Sequence, residues 1–383
     1  LYAVQSSQPV ERVVFGRSGG VVILGANLVV VQAAIDAQRG DSLDESDNYR
    51  QIIGDLPGGR AVTVYTTGSG VRDLISQASS ASPVPLNLDQ LSLSNFASSA
   101  FALSVVEAGL QVDIVSYLDL DQLTTTQKAM LDAAGQSSKA AELYPDQTVA
   151  FLTGQRLDLL WQSIREATGD EEAFDESMAS FGEEFGLNPS TDLFPLLNGE
   201  WAIGLIAGQS GLLAEELEIP LGFTVVAATD QPLAMADTVE ALRMGLEGQL
   251  LLVSEIESAD ITGYQVSLSE SAPPAFDFGL EQGYFFIASS DGTAVETFAG
   301  GTPLAESDHF RNVQSEFDRD INVSLYLDVR SLLGTLRESK TGFDLLDFNE
   351  SVQLLEPVEA VAVGSAFQGD LRRTQMIVFI DTD

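Results

Sequence analysis

Two alternating hydrophobic patterns, one in the first half of the chain and one at its end, predict β-hairpins. Residues 97–106 and 110–118 alternate apolar and polar positions on either side of a turn that contains Gly109. Residues 358–380 show the same alternation around a turn at Gly369. Because strands that are joined by a short turn pair antiparallel, these segments predict a mostly antiparallel sheet.

Helical periodicity and capping residues predict short helices between the strands. Asn27 is the predicted N-cap of a helix that directly follows a β-branched strand at residues 21–23. Thr124, with Gln127 three residues later, has the spacing of a capping box and predicts a helix to about Ala134. Together the patterns predict an α+β fold, in which short helices pack on one face of a mostly antiparallel sheet.

One stretch of eight residues occurs twice in the chain. Leu-Asp-Glu-Ser-Asp-Asn-Tyr-Arg at residues 43–50 returns at residues 304–311 as Leu-Ala-Glu-Ser-Asp-His-Phe-Arg, with five identities. The strand pattern that follows each stretch aligns without a gap, and the terminal hairpin aligns with the earlier one. The order of these matches predicts that residues 1 to about 119 duplicate residues of about 262 to 381.

The repeated stretch combines acids, a serine, an aromatic residue and an arginine, and we interpret it as the start of a helix. Its residues are Glu45, Ser46, Asp47, Tyr49 and Arg50 in the first copy and Glu306, Ser307, Asp308, Phe310 and Arg311 in the second. Acids in a first turn favour the positive end of the helix dipole, and an arginine three residues after an aspartate is within ion-pair reach. Ser42, three residues before Glu45, is the predicted cap of the first copy, and Thr302 is its counterpart in the second.

The duplication predicts two homologous units, with the first one incomplete. Residues 1–135 form the first unit, residues 136–144 a linker, and residues 145–383 the second unit, which carries an additional block ahead of its shared half. Either the first unit is a genuine half-domain or a matching block precedes Leu1, and we favour the upstream block. A half-domain exposes an edge or a face that an upstream segment or a neighbouring subunit completes.

The charge of the chain restricts its partners. Fifty-seven acidic residues against 18 basic ones give a formal net charge of −39, which repels nucleic-acid phosphates and attracts cations. No basic stripe with interleaved aromatic residues offsets this charge, so we expect no nucleic-acid partner. The longest apolar run, residues 21–35, is short and interrupted, so we expect no membrane span in this chain.

The residues that most catalytic sites require are few. The chain has no cysteine, which excludes disulfides, thiolate metal sites and cysteine nucleophiles. Its one histidine, His309, lies beside Ser307 and Asp308, but neighbouring residues on a helix point in different directions and do not form a triad. We therefore expect no catalytic residues, no enzymatic activity and no organic cofactor.

A divalent cation is the one cofactor that the sequence suggests. Asp318, Asp320 and Asn322 have the spacing of the first ligands of a calcium loop. The sixth and twelfth positions of that loop are Val323 and Val329 instead of glycine and glutamate, so the match to an EF-hand fails. These three residues remain weak candidates for calcium or another divalent cation.

Short motifs along nearly the whole chain resemble the bacterial family called domain of unknown function 3352. They are Asp-Leu-Asp-Gln-Leu-Thr at residues 119–124, Phe-Gly-Leu at 185–187, Asn-Gly-Glu at 198–200 and the repeated helix start. The resemblance implies an exported or envelope-associated bacterial protein, and it brings no activity, cofactor or catalytic residue. Chains of that family are usually longer at the N-terminus, which fits a block upstream of Leu1.

Composition, duplication and resemblance together favour a structural protein. We expect a non-enzymatic protein, outside the cell or on its surface, that self-assembles as a homo-oligomer into a filament, a tube or a surface layer. The alternative is a secreted or envelope-associated module that holds a ligand or a partner between its two units. A large apolar pocket near residues 119–145 would favour the alternative.

Overall fold

The chain divides into an N-terminal unit, Leu1–Leu56, and a main unit, Pro57–Asp383. The computed structural model describes residues 2–3, 14–18, 20–25, 27–37, 40, 42–70, 96–208, 219–256, 258, 261–269, 274–338 and 355–381. The sequence also predicts a short helix at residues 71–76, and that segment lies outside the described residues. The division at residues 136–144 that the repeat predicts falls within the main unit and stays a prediction.

The N-terminal unit combines a small sheet with two helices. Strands β1 (Tyr2–Ala3), β2 (Val14–Ser18) and β3 (Val21–Gly25) pair antiparallel in that order, and helices α1 (Leu28–Asp36) and α2 (Asp47–Gly54) follow. The predicted cap of α1 is confirmed, since Asn27 Oδ1 accepts a hydrogen bond from the Val30 amide at 3.0 Å. Val31 on α1 is fully buried, so this helix contributes to the core of the unit.

The main unit contains one antiparallel sheet of thirteen strands. These are β4 (Val62–Thr67), β5 (Phe96–Val106), β6 (Gly109–Leu118), β7 (Thr148–Gln155), β8 (Glu200–Ala207), β9 (Leu221–Ala228), β10 (Leu252–Glu255), β11 (Gly263–Ser267), β12 (Pro274–Glu281), β13 (Tyr284–Ala288), β14 (Asn322–Asp328), β15 (Val358–Gln368) and β16 (Leu371–Ile380). Their order in the sheet is β10-β11-β12-β13-β9-β8-β7-β14-β15-β16-β6-β5-β4. The two predicted hairpins appear as β5–β6 and β15–β16, and the α+β class is as expected.

Seven helices of the main unit lie between these strands in the described part of the chain. They are α3 (Thr125–Ala134), α4 (Leu157–Ala167), α5 (Glu171–Phe185), α6 (Pro232–Gly248), α7 (Asp291–Ala299), α8 (Asp308–Ser315) and α9 (Val329–Glu338). The predicted capping box of α3 is confirmed, because Thr124 and Gln127 exchange both hydrogen bonds. Within the described ranges, no helix combines the length and the apolar character that crossing a bilayer requires.

Helices cover both faces of the sheet, so the prediction of helices on one face is wrong. Phe285 and Phe286 are neighbours on β13 and therefore point to opposite faces. Phe286 belongs to a core cluster with Phe298 of α7 and Phe310 of α8, whereas Phe285 belongs to a second cluster that includes α6. Strands buried on both faces have continuous apolar runs, as at residues 284–288, and this was the signal for a two-sided core.

On both sides of the boundary between β6 and β16, the strands follow one another outward in reverse chain order. One side runs β16-β15-β14 and the other runs β6-β5-β4. At the centre of this boundary, Asp113 of β6 pairs with Gln375 of β16, two residues that are 262 positions apart. That separation is close to the 261 positions that separate the two copies of the repeated stretch.

Candidate functional site

Both copies of the repeated stretch adopt the same local structure. A 3₁₀ turn, Leu43–Glu45 in the first copy and Leu304–Glu306 in the second, precedes α2 and α8 respectively. Ser46 Oγ accepts a hydrogen bond from the Tyr49 amide at 3.4 Å. The corresponding bond, from the Phe310 amide to Ser307 Oγ, is 3.1 Å long.

The arginine of each copy pairs with the aspartate of the same helix turn. Arg50 lies 2.6 Å from Asp47, and Arg311 lies 2.9 Å from Asp308. Both aspartates are almost fully exposed. The predicted ion-pair spacing is therefore present, and exposed pairs of this kind contribute little to stability.

The N-caps of these two helices lie further along the chain than we predicted from the sequence. Ser42 forms no side-chain cap bond, and Pro303, not Thr302, occupies the cap position of the second 3₁₀ turn. Ser46 and Ser307 have extended backbones, with ψ of 121° and 137°. The 3₁₀ turn therefore ends before each serine, and the α-helix begins at the next residue. Capping by Ser42 and Thr302 is thus corrected to capping by Ser46 and Ser307.

The second copy anchors its helix to the sheet through an aromatic residue. The ring of Phe310 packs edge-on against Tyr326 of β14, with centroids 5.1 Å apart, and against Phe151 of β7 at 6.4 Å. His309 Nε2 lies 4.0 Å from the carboxylate of Asp328. Because Ser307 Oγ serves as the helix cap, the geometry of this stretch is that of a folding element.

The candidate calcium ligands lie beside an arginine. Arg373 of β16 approaches the carboxylates of Asp318 at 3.2 Å and Asp320 at 3.6 Å, while Asn322 begins β14. A guanidinium thus supplies the positive charge beside both carboxylates. Among the described residues, no group of three or more histidine and acidic side chains could hold a metal, and calcium binding here stays a prediction.

Residues 136–144, predicted as a linker, are packed against the sheet. Glu200 Oε2 accepts hydrogen bonds from Ser138 Oγ at 2.7 Å and from the Lys139 and Ala140 amides at 2.7 and 3.2 Å. Tyr284 donates its hydroxyl to Glu200 Oε1 at 2.6 Å, and burial together with this bond raises the pKa of Tyr284. Ala140 is fully buried, so this segment contributes to the core.

A polar network lies at the centre of the β6–β16 boundary. Asp113 and Gln375 are each 5% exposed, and Gln375 Nε2 donates to Asp113 Oδ1 at 3.0 Å. Gln111 Nε2 donates to both oxygens of the same carboxylate at 3.0 Å, and Gln375 Oε1 accepts from the Asp318 amide at 3.1 Å. The buried carboxylate is therefore satisfied by amides.

A cavity of about 600 Å³ is formed by α4, α5 and the turns at residues 189–196. Trp161 stacks on Phe194 with ring centroids 3.8 Å apart and donates its indole N–H to Ser190 at 3.1 Å. Arg165 pairs with Asp175 at 2.6 Å, and its hydrogen bonds lower the pKa of that carboxyl. The indole and guanidinium groups in this cavity thus have partners within the chain.

A second cavity, of about 260 Å³, lies where β5, β6, α3 and the β15–β16 hairpin meet. Its lining is mainly apolar and includes Leu118, Leu123, Met130 and Leu131. A neighbouring polar cavity of about 210 Å³ shares Ala134, Phe367 and Arg372 with it. We call the apolar cavity and its neighbour the junction cavities, because they lie at the predicted junction of the repeat units.

Arg372 is the functional candidate that the sequence did not reveal. Its guanidinium carbon lies 5.5 Å from the centroid of the Phe367 ring, and its Nε is buried without a hydrogen-bond partner. Successive strand residues point to opposite faces, so the pair Arg372-Arg373 places one arginine on each face of β16. In a chain with few cations, that pair was the available signal.

Comparison with known proteins gives a family and no relative of known activity. The family model described as "Protein of unknown function (DUF3352)" matches residues 2–381. No curated protein matches the chain, and no solved structure does. The resemblance inferred from the short motifs is therefore confirmed over nearly the whole chain.

Proposed function

We propose a function from the structure and the sequence, because the chain belongs to the DUF3352 family, whose description gives no activity. The protein is a non-enzymatic structural protein of the cell surface or the extracellular space. It assembles into filaments by pairing the two edge strands of its main sheet, β4 of one copy with β10 of the next.

The single observation that carries this proposal is the character of the two edge strands. β4 contains no charged residue, and its Val62 and Val64 are 44% and 51% exposed. At the opposite edge, Leu252 of β10 is 42% exposed. An edge strand with exposed apolar residues is a template for pairing with another chain. Pairing of two different edges is heterologous, and it generates an open filament when the rotation between copies does not close a ring.

The repeat gives a second reason to expect a partner strand at β4. We propose that residues 1–119 and 262–381 are homologous, since their helix starts, hairpins and sheet orders correspond. The counterpart of β4 is β14, which pairs with β15 on one side and with β7 on the other. Among the described residues, β4 pairs only with β5. A strand from a second copy would occupy the position that β7 has beside β14.

The net charge sets the conditions under which assembly is expected. A charge of −39 makes copies repel each other at low ionic strength. The range of this repulsion falls from about 10 Å at 0.1 M salt to about 3 Å at 1 M. Salt, or divalent cations at the acidic surface, should therefore promote the association of copies.

A charged substitution on the edge tests the proposal. Val64→Lys should shift the protein from large species to monomers in sedimentation velocity at high salt, because a lysine on an edge strand opposes pairing. Val105→Lys is the matched control, since Val105 on the neighbouring strand β5 is 74% exposed but lies away from the edge. Equal sedimentation of both variants and the wild type, or a monomeric wild type in every salt, would contradict the proposal.

A binding module remains the second candidate function, and the junction cavities favour it. A large apolar pocket near residues 119–145 was the feature expected of such a module, and residues between Leu118 and Ala134 form part of the lining of the apolar junction cavity. Its volume of about 260 Å³ is slightly below the roughly 300–1,000 Å³ that is typical of ligand sites. A ligand for this cavity would be small and largely apolar.

A further inference from the structure

In the described part of the chain, no acidic side chain pairs with Arg372. Its cross-strand neighbours on β15 and β6 are Phe367 and Ser116, neither of which carries a charge. Its buried Nε has no hydrogen-bond partner, and within the described part of the chain its guanidinium forms no ion pair. Burial lowers the pKa of Arg372, yet a guanidinium stays protonated in proteins. A buried N–H donor without a partner is costly, and an anion that accepts a hydrogen bond from this guanidinium would stabilise it.

Arg373, the next residue on β16, points to the opposite face of the sheet and has acidic partners that Arg372 lacks. Arg373 pairs with Asp318 and Asp320, in keeping with a chain that has a large excess of acids. By contrast, none of the described residues that line the junction cavities is acidic. Arg373 thus has acidic partners, whereas the described lining of the junction cavities supplies none to Arg372.

We propose that the junction cavities bind a small amphiphilic anion, a carboxylate on a hydrocarbon chain, with its head on Arg372. The carboxylate accepts hydrogen bonds from the guanidinium, whose planar donors match a carboxylate in pairs. The hydrocarbon chain lies among Leu118, Met130 and Leu131, where it leaves water. This assignment deepens the second candidate function and is independent of assembly through β4 and β10.

The size of the apolar cavity sets the length of the ligand. A volume of about 260 Å³ holds on the order of nine groups of the size of a water molecule, each taking about 30 Å³. Octanoate, with eight carbons and one negative charge, is therefore the probe of choice. Its neutral counterpart 1-octanol has the same chain without the charge, and inorganic phosphate has the charge without the chain.

Isothermal titration calorimetry of the wild-type protein with these three probes tests the inference without any substitution. We expect octanoate to bind with one site per chain and at least about tenfold more tightly than 1-octanol, in line with a charge-assisted hydrogen bond. Phosphate should show no comparable affinity. Equal affinity for octanoate and 1-octanol, phosphate binding as tight as octanoate, or no octanoate binding would overturn the inference.

Two variants and a matched control locate the site. Arg372→Met keeps the aliphatic stem and should weaken octanoate binding by about 10- to 100-fold while leaving 1-octanol unaffected. Ala134→Phe, at the wall shared by the two cavities, should weaken both ligands. Arg373→Met should bind octanoate like the wild type, and a loss there equal to that of Arg372→Met would place the anion elsewhere.

Sedimentation of the same samples separates this inference from the proposed function. Loss of octanoate binding in Arg372→Met with unchanged sedimentation is the expected result. An absence of octanoate binding in a wild-type protein that still assembles removes the ligand and leaves the assembly proposal standing.

Discussion

Asp113 is a buried carboxylate that is satisfied without a cation. Amide groups of Gln111 and Gln375 donate to it, and Gln375 in turn accepts from the backbone of Asp318. The two paired residues at the centre of the β6–β16 boundary thus differ in charge. A buried hydrogen bond of this kind adds little to the free energy of unfolding, but removal of one partner lowers that free energy much more, because the other partner stays buried and unpaired.

Removal of the carboxylate should therefore destabilise the main unit. Asp113→Ala is expected to lower the free energy of unfolding by about 1–3 kcal/mol, because it leaves buried amide donors without an acceptor. Glu107→Ala, in the exposed turn of the β5–β6 hairpin, is the control and should change it by less than about 0.5 kcal/mol. Urea denaturation followed by circular dichroism measures both, and equal stabilities would refute the role given to Asp113.

At the scale of single elements, the features that depend on near neighbours were predictable. The capping box at Thr124 and the hairpins around Gly109 and Gly369 arise from residues a few positions apart, and the structure contains all of them. The cap of the repeated helix was placed four or five residues too early, because Ser42 and Thr302 also fit the pattern. The side-chain cap hydrogen bonds of Ser46 and Ser307 distinguish the correct positions, because Ser42 also has an extended backbone but forms no such bond.

Features that depend on distant contacts were not predictable from one sequence. The alternation of β16 shows that Arg372 and Arg373 face opposite sides, but it does not show which side meets Asp318 and which meets a cavity. The insertion of β7 between β14 and β8 joins segments far apart in the chain. Local patterns do not contain this pairing, whereas the apolar run at residues 284–288 did indicate a strand that is buried on both faces.

The corrected cap of the second copy can be tested directly. Ser307→Ala should lower the free energy of unfolding by about 1 kcal/mol, since it removes the acceptor for the first turn of α8. Thr302→Ala is the matched control in the same copy, where no side-chain cap is formed, and should be close to neutral. A larger loss from Thr302→Ala than from Ser307→Ala in thermal and urea unfolding would restore the cap that the sequence predicted.

At the scale of the whole molecule, the described part of the main sheet ends in two strands, β4 and β10, that expose apolar side chains. Thirteen strands, from β10 to β4, form one continuous antiparallel sheet with helices on both faces. If β4 of one copy pairs with β10 of the next, the sheet continues from copy to copy without a break. Strands in a sheet are spaced by about 4.8 Å, so thirteen of them span about 60 Å.

Electron cryo-microscopy of the wild-type protein at high salt tests the pairing of β4 with β10. We expect filaments in which copies repeat about every 60 Å along the sheet, with β4 beside β10 of the next copy. Particles that remain single at all protein and salt concentrations would contradict it. So would filaments whose copies meet through other surfaces and leave both edge strands unpaired.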